Sequence, residues 1–197
     1  SDAYVVSTNK HTGGIAGNID DSASIDNCWF DGEIRLTTAN GYISGGIVGG
    51  INYWYYNKKT VSLTNCLYTG KITFEAGDPS WALRIGGIAG GVYEGYEIDI
   101  NIKNCVSAGE ITQSATPVSA GVAGVSSVFG GFDGSKAEVR LNLENVYATT
   151  ECFEIGRMYH KINSGGTITE TECSTVDEAV LYGESAQTNA PNLAYGT

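Results

Sequence analysis

Four stretches of the chain place an apolar residue at every second position: Ala23 and Ile25; Val61 and Leu63; Ile98, Ile100 and Ile102; Val139, Leu141 and Leu143. Between them stand Ser24, Ser62, Asp99, Asn101, Arg140 and Asn142. A two-residue period with one apolar and one wet face predicts β-strands packed on one side. Each stretch runs into an asparagine, and in three the same phrase follows: Asn27-Cys28-Trp29-Phe30-Asp31-Gly32-Glu33-Ile34, then Asn65-Cys66-Leu67-Tyr68-Thr69-Gly70-Lys71-Ile72, then Asn104-Cys105-Val106-Ser107-Ala108-Gly109-Glu110-Ile111. A worn fourth copy runs from Asn145 to Cys152.

A glycine phrase punctuates the same chain at Gly13-Gly14-Ile15-Ala16-Gly17, Gly45-Gly46-Ile47-Val48-Gly49 and Gly86-Gly87-Ile88-Ala89-Gly90, with a degraded Ala120-Gly121-Val122-Ala123-Gly124. These phrases begin 32, 41 and 34 residues apart, so a fixed unit alternates with segments of free length. That is the mark of stacked repeats with insertions on the outside. Strands recurring at such intervals are poor hairpin partners, and each is expected to pair in parallel with its next copy after a full coil. The predicted fold is all-β: a parallel β-solenoid of about four coils with irregular end caps. Residues 1–12 would flank the stack, 13–155 form it and 156–197 cap it. Within that cap, Thr175-Val176-Asp177-Glu178 has the form of a capping box, so a short helix or an irregular cap is expected there.

Stacking in register turns equivalent residues into columns. Asn27, Asn65, Asn104 and Asn145 would form a ladder in which each amide donates to its neighbour's carbonyl at a bend. Six residues on, Glu33, Lys71, Glu110 and Glu151 place one cation between two carboxylates. Cys28, Cys66 and Cys105 would lie about 4.8 Å apart, the interstrand spacing. A relaxed disulfide needs its Cβ atoms near about 3.8 Å, so the three are expected to be reduced and buried.

Composition narrows the setting. Of 197 residues, 42% are apolar, enough for one sizeable core, and 27 glycines against three prolines point to turns and close backbone approaches. Eleven basic against 22 acidic residues leave a net charge of −11, which repels phosphate backbones and anionic membranes. Nucleic acid is therefore not an expected partner. No apolar stretch is long enough to span a bilayer, so no membrane insertion by this segment is expected. The opening Ser1-Asp2-Ala3-Tyr4 lacks a basic and then apolar leader, as expected of a segment of a larger exported protein.

The Gly-Gly-Ile-Ala/Val-Gly phrase at 13–17, 45–49 and 86–90, followed by Asn-Cys-x-x-x-Gly-x-Ile, resembles the GLUG-motif repeats. The likeness covers roughly residues 12–155, departing where Ala120 replaces the first Gly and where Val146, Thr150 and Cys152 replace Cys, Gly and Ile. That family occurs in large adhesin-like bacterial surface proteins, including the immunoglobulin A-cleaving metallopeptidases of streptococci, as a non-catalytic repeat region. The resemblance implies a place outside a bacterial cell and a role in adhesion.

Signatures of chemistry are sparse. His11 and His160 stand far apart with no second ligand type around either, so no metal site is expected. Neither Gly-x-Ser-x-Gly nor a phosphate loop occurs, and no catalytic residue or cofactor is assigned. Parallel solenoids include enzymes that cleave acidic polysaccharides, which makes such an enzyme the alternative function; the acidic charge argues against an anionic substrate. The aromatics are more informative. Tyr53, Trp54, Tyr55 and Tyr56 follow the second glycine phrase, Tyr93 and Tyr96 stand at the equivalent place in the third coil, and Phe129 and Phe132 in the fourth. Rings beside Asn and Lys suit the stacking of sugars and the recognition of proteins. The expectation is a non-enzymatic cell-surface interaction module whose insertion loops bind a host or bacterial glycan or protein, with Tyr53, Trp54, Tyr55, Tyr56, Tyr93 and Tyr96 as contact residues.

Overall fold

The computed structural model describes residues 3–8, 11–37, 43–52, 57–74, 83–92, 97–113, 123–132, 138–149, 158–159 and 166–176. Every regular element among them is a β-strand, and every strand pairing is parallel. After β1 (Tyr4–Ser7), a first coil runs through β2 (His11–Gly13), β3 (Ala16–Ile19), β4 (Ala23–Asp26), β5 (Trp29–Phe30) and β6 (Glu33–Leu36). The second repeats it with β7 (Ile43–Gly45), β8 (Val48–Ile51), β9 (Lys59–Thr64), β10 (Leu67–Tyr68) and β11 (Lys71–Phe74). In the third, β12 (Leu83–Gly86) and β13 (Ala89–Val92) precede a long β14 (Glu97–Ser107), which merges two elements, and β15 (Glu110–Gln113). The fourth holds β16 (Ala123–Ser126) and β17 (Glu138–Thr149), one residue longer than β14, and β18 (Thr167–Thr171) and β19 (Ser174–Val176) lie over β17. The chain is a parallel β-solenoid.

Period-two patterning sets the register. Ile25 pairs with Leu63, Leu63 with Ile102 and Ile102 with Leu143, so the four alternating stretches stack as one column. Shifting any strand by one residue would turn its apolar side chains outward. Leu63, Ile102 and Leu143 are buried with Val61, Ile100, Leu141, Tyr68 and Phe74, and each fully buried side chain of this size contributes about 1.5–3 kcal/mol. Backbone groups between the strands are satisfied from coil to coil: Gly46 N donates to Gly87 O at 2.9 Å and Lys71 N to Gly32 O at 2.8 Å.

The bend after each alternating stretch needs left-handed backbone, which Asn tolerates better than other residues with a Cβ. Asn27, Asn65, Asn104 and Asn145 all adopt it, with φ between 51° and 55°. Their amides form the expected ladder: Asn145 Nδ2 donates to Asn104 Oδ1 at 2.9 Å and Asn104 Nδ2 to Asn65 Oδ1 at 3.2 Å. Asp26 closes its lower end, accepting from Asn65 Nδ2 at 2.8 Å and from Asn27 Nδ2 at 2.7 Å. Cys66 and Cys105 are buried as expected, whereas Cys28 departs from the expectation and is only half-buried, as is Cys173; all four are free thiols.

Three further expectations are corrected. The fourth glycine phrase is not Ala120–Gly124, because Gly86 pairs with Ser126 and Gly87 N donates to Ser127 O at 3.0 Å. The fourth copy is therefore Ser126-Ser127-Val128-Phe129-Gly130, a register that buries Val125 and Val128 completely. Phe129 and Phe132 bridge Ala89 and Val92 and are buried in the core, their ring centroids 6.4 Å apart, so they are not aromatics of an insertion. Thr175 and Val176 belong to β19 and pair with Ala148 and Thr149, which excludes a helix starting at Thr175; Asp177 and Glu178 lie outside the described residues.

The stack also continues beyond Cys152. Val128 N and Phe129 N donate to Met158 O at 3.0 and 2.9 Å, and Arg140–Glu144 pairs with Thr167–Thr171. Glu172 has a φ of 54°, the conformation of the four asparagines, and is followed by Cys173. Glu172-Cys173 is thus a fifth copy of Asn-Cys.

Candidate functional site

Tyr53, Trp54, Tyr55, Tyr56, Tyr93 and Tyr96 lie outside the described residues. The two segments that carry them follow Ile51 and Val92, which are registered partners in β8 and β13.

Among the described residues, the outer surface offers a groove of about 450 Å³ where β5, β10 and β14 turn into β6, β11 and β15. Its origin is local. Phe30 and Tyr68 point inward and are buried, so the next residues, Asp31 and Thr69, stand on the outside. Gly32 and Gly70 follow as the floor. A Cβ on Gly70 would come 2.9 Å from Gly32 N, closer than real side chains come, so the coils can stack here only with bare backbone. Glu33, Lys71 and Glu110 then form the far wall, and Ala3 and Tyr4 close one end.

The column Glu33, Lys71, Glu110 stacks as the sequence implies, with Lys71 registered between the two glutamates. Lys71 Nζ lies 2.8 Å from Glu110 Oε2. Glu151, the fourth member, lies outside the described residues.

Sequence reasoning missed Trp29. Its side chain is 63% exposed, and its Nε1 donates to Thr69 Oγ1 at 2.8 Å; Thr69 in turn donates to Asp31 Oδ1 at 2.8 Å. This relay crosses two coils and ties the ring to Thr69, which lines the groove. The signal was present in the outward position two residues after each ladder Asn, which reads Trp29, Leu67, Val106 and Tyr147, apolar on the face where a strand should be wet. Tyr147 at the upper end is buried beside Ala108, with Val106 and Val176 against them, whereas Trp29 at the lower end is open.

A second polar surface runs along β9, β14 and β17. Asp99 accepts from Lys58 Nζ at 2.8 Å and from Arg140 Nε, and Arg140 also reaches Glu97 at 2.8 Å and Glu138 at 3.4 Å. Burial opposes ionisation of Asp99, but the hydrogen bonds and charges of Lys58 and Arg140 outweigh it and hold the carboxyl below its ordinary range. No protein-family model matches the chain, and no curated protein or solved structure matches it. The charge network sets two cations, Lys58 and Arg140, against three carboxylates, Glu97, Asp99 and Glu138.

In the cysteine column, hydrogen bonding with Cys105 lowers the Cys66 thiol to about 7, while the other described thiols are raised. Cys105 donates to Lys103 O at 3.2 Å and Leu63 O at 3.4 Å, and Cys66 to Thr64 O at 3.2 Å. The neighbouring Cys66 thiol and burial push the Cys105 thiol far up, and burial raises Cys28 and Cys173. His11 lies 3.4 Å from Asn52 Nδ2, and no three His, Cys, Asp or Glu side chains converge as metal ligands among the described residues.

Proposed function

We propose that this chain is a non-enzymatic interaction module of the GLUG-repeat kind, carried on the outside of a bacterial cell and binding a glycan or a protein. The observation that carries the reading is the register of Ile51 with Val92. Two aromatic segments, Tyr53–Tyr56 and Tyr93 with Tyr96, depart from one topological position of a stack whose strands are otherwise held in fixed register. Repeat proteins use such positions to present binding side chains while neighbouring coils supply the stability. Tyr and Trp are also the side chains that most often anchor recognition.

Screening the chain against glycans and mucosal proteins, then repeating with Trp54→Ala and Tyr55→Ala, tests the proposal. Binding weakened by about tenfold or more in either variant is the expected outcome. Unaffected binding would remove the loops from the site. Turnover of a polysaccharide, abolished by Glu110→Gln, would replace this reading with that of a polysaccharide-cleaving solenoid.

A further inference from the structure

We propose that the groove beside Trp29 is a binding subsite for a neutral, hydroxyl-rich sugar, which deepens and rests on the reading of this chain as an interaction module. Trp29 is the most exposed large apolar side chain among the described residues, at 63%, and Tyr4 at the end of the groove is next at 57%. Covering this much ring would remove apolar surface from water and so favour association. The Trp29 ring does not move freely, because the Thr69–Asp31 relay holds its N–H edge down and turns its remaining surface outward. A ring already held in place loses little conformational entropy on binding.

The groove has the other features that a sugar needs. Its volume of about 450 Å³ falls within the range of small-ligand sites. The walls supply hydroxyl acceptors in Asp31 and Glu33, and the Thr69 hydroxyl, whose proton is given to Asp31, keeps a lone pair with which to accept. Charge selects the sugar class. Asp31, Glu33 and Glu110 outnumber Lys71, whose ammonium is already held by Glu110, and the whole chain carries −11. Uronates, sialic acids and sulfated glycans are repelled from such a site, whereas neutral hydroxyls hydrogen-bond to carboxylates without that penalty.

The test is an NMR titration of the whole chain with cellobiose, maltose, lactose and N,N′-diacetylchitobiose to about 20 mM, a range suited to millimolar affinities. Digalacturonate serves as the anionic control. At least one neutral disaccharide should shift the Trp29 indole N–H and the Thr69 and Gly70 amides, while digalacturonate should shift none of them. Trp29→Ala and Asp31→Asn should each weaken binding by about tenfold or more. Both positions face solvent, and unchanged amide shifts across β9, β14 and β17 would show that the variants remain folded. Silence with all four neutral sugars overturns the subsite, as does digalacturonate binding in the groove. Shifts that survive Trp29→Ala but vanish in Trp54→Ala also overturn it, while leaving the interaction module intact. An empty screen against both glycans and proteins would sink the broader reading as well.

Discussion

The ring of Tyr68 occupies, together with the Gly87 carbonyl, the space that a Cβ on Gly46 would fill. The same relationship joins Phe30 to Gly14, and in the third coil the Ser107 hydroxyl takes the ring's place against Gly87. In the fourth coil both partners change: Ala148 is registered with Ser107, and Ser127 receives the hydrogen bond from Gly87 N. A side chain has appeared on the glycine position where the opposite residue has shrunk. Gly46→Ala should therefore destabilise the solenoid by about 2–3 kcal/mol through overpacking. In a double-mutant cycle measured by urea unfolding, Tyr68→Ala should recover part of that loss when combined with Gly46→Ala. Purely additive costs would show that the ring does not set the glycine requirement.

Glu172 holds the left-handed conformation that four asparagines hold below it, and it lacks their preference for that conformation. On the rung beneath, Asn145 Oδ1 is buried without a hydrogen-bond partner among the described residues. Glu172→Asn should relieve the backbone penalty and extend the amide ladder by one donor, stabilising the chain by about 1–2 kcal/mol. The check is the urea midpoint of the variant against the parent. Glu172→Gln supplies an amide without the short side chain suited to the bend, and should give a smaller gain.

The regular rungs were legible because they depend on local chemistry. Alternation placed Ile25, Leu63, Ile102 and Leu143 in one column, and the recurring Asn marked a bend that few other residues tolerate. Legibility failed where tertiary packing decides. Ala120–Gly124 matches the glycine phrase in letters, yet burial of Val125, Val128 and Phe129 draws Ser126–Gly130 into register instead. Glu172-Cys173 escaped because the bend can hold a Glu when the strands on either side are paired. Trp29 escaped because it sits inside the repeated phrase, where its apolar neighbours Leu67 and Val106 make it look like an ordinary column member.

The cysteine column should tolerate an aliphatic side chain, since Val146 already occupies the rung above Cys105 and is fully buried. Cys105→Val adds about one methyl group and should cost near the low end of about 1–3 kcal/mol. Cys105→Ala leaves a small void and should cost more. In the native protein, Cys66 and Cys105 should resist alkylation until denaturant is added, while half-buried Cys28 and Cys173 should label slowly without it. Mass spectrometry of the labelled peptides separates the two pairs, and rapid native labelling of Cys105 would contradict its place in the core.

The lower end of the amide ladder makes the fold sensitive to acid. Hydrogen bonds from Thr64 and Asn65 hold the Asp26 carboxyl below its ordinary value of 3.8, and Lys59 does the same for Asp21. At Asp99, burial pulls the other way but is outweighed by Lys58 and Arg140. A carboxyl whose pKa is lower in the folded state stabilises fully above its unfolded pKa, and that contribution is lost as the pH falls through the folded value. Stability from these three groups should therefore be level near neutrality and decline as the pH drops below 3.8. Asp26→Asn keeps an acceptor oxygen for Asn65 but has no proton to gain. Its urea midpoint should start lower at pH 7 and fall less steeply than the parent's between about pH 4 and pH 2. A parent protein that grows more stable across that interval would reverse the sign and remove the carboxylate from the ladder's support.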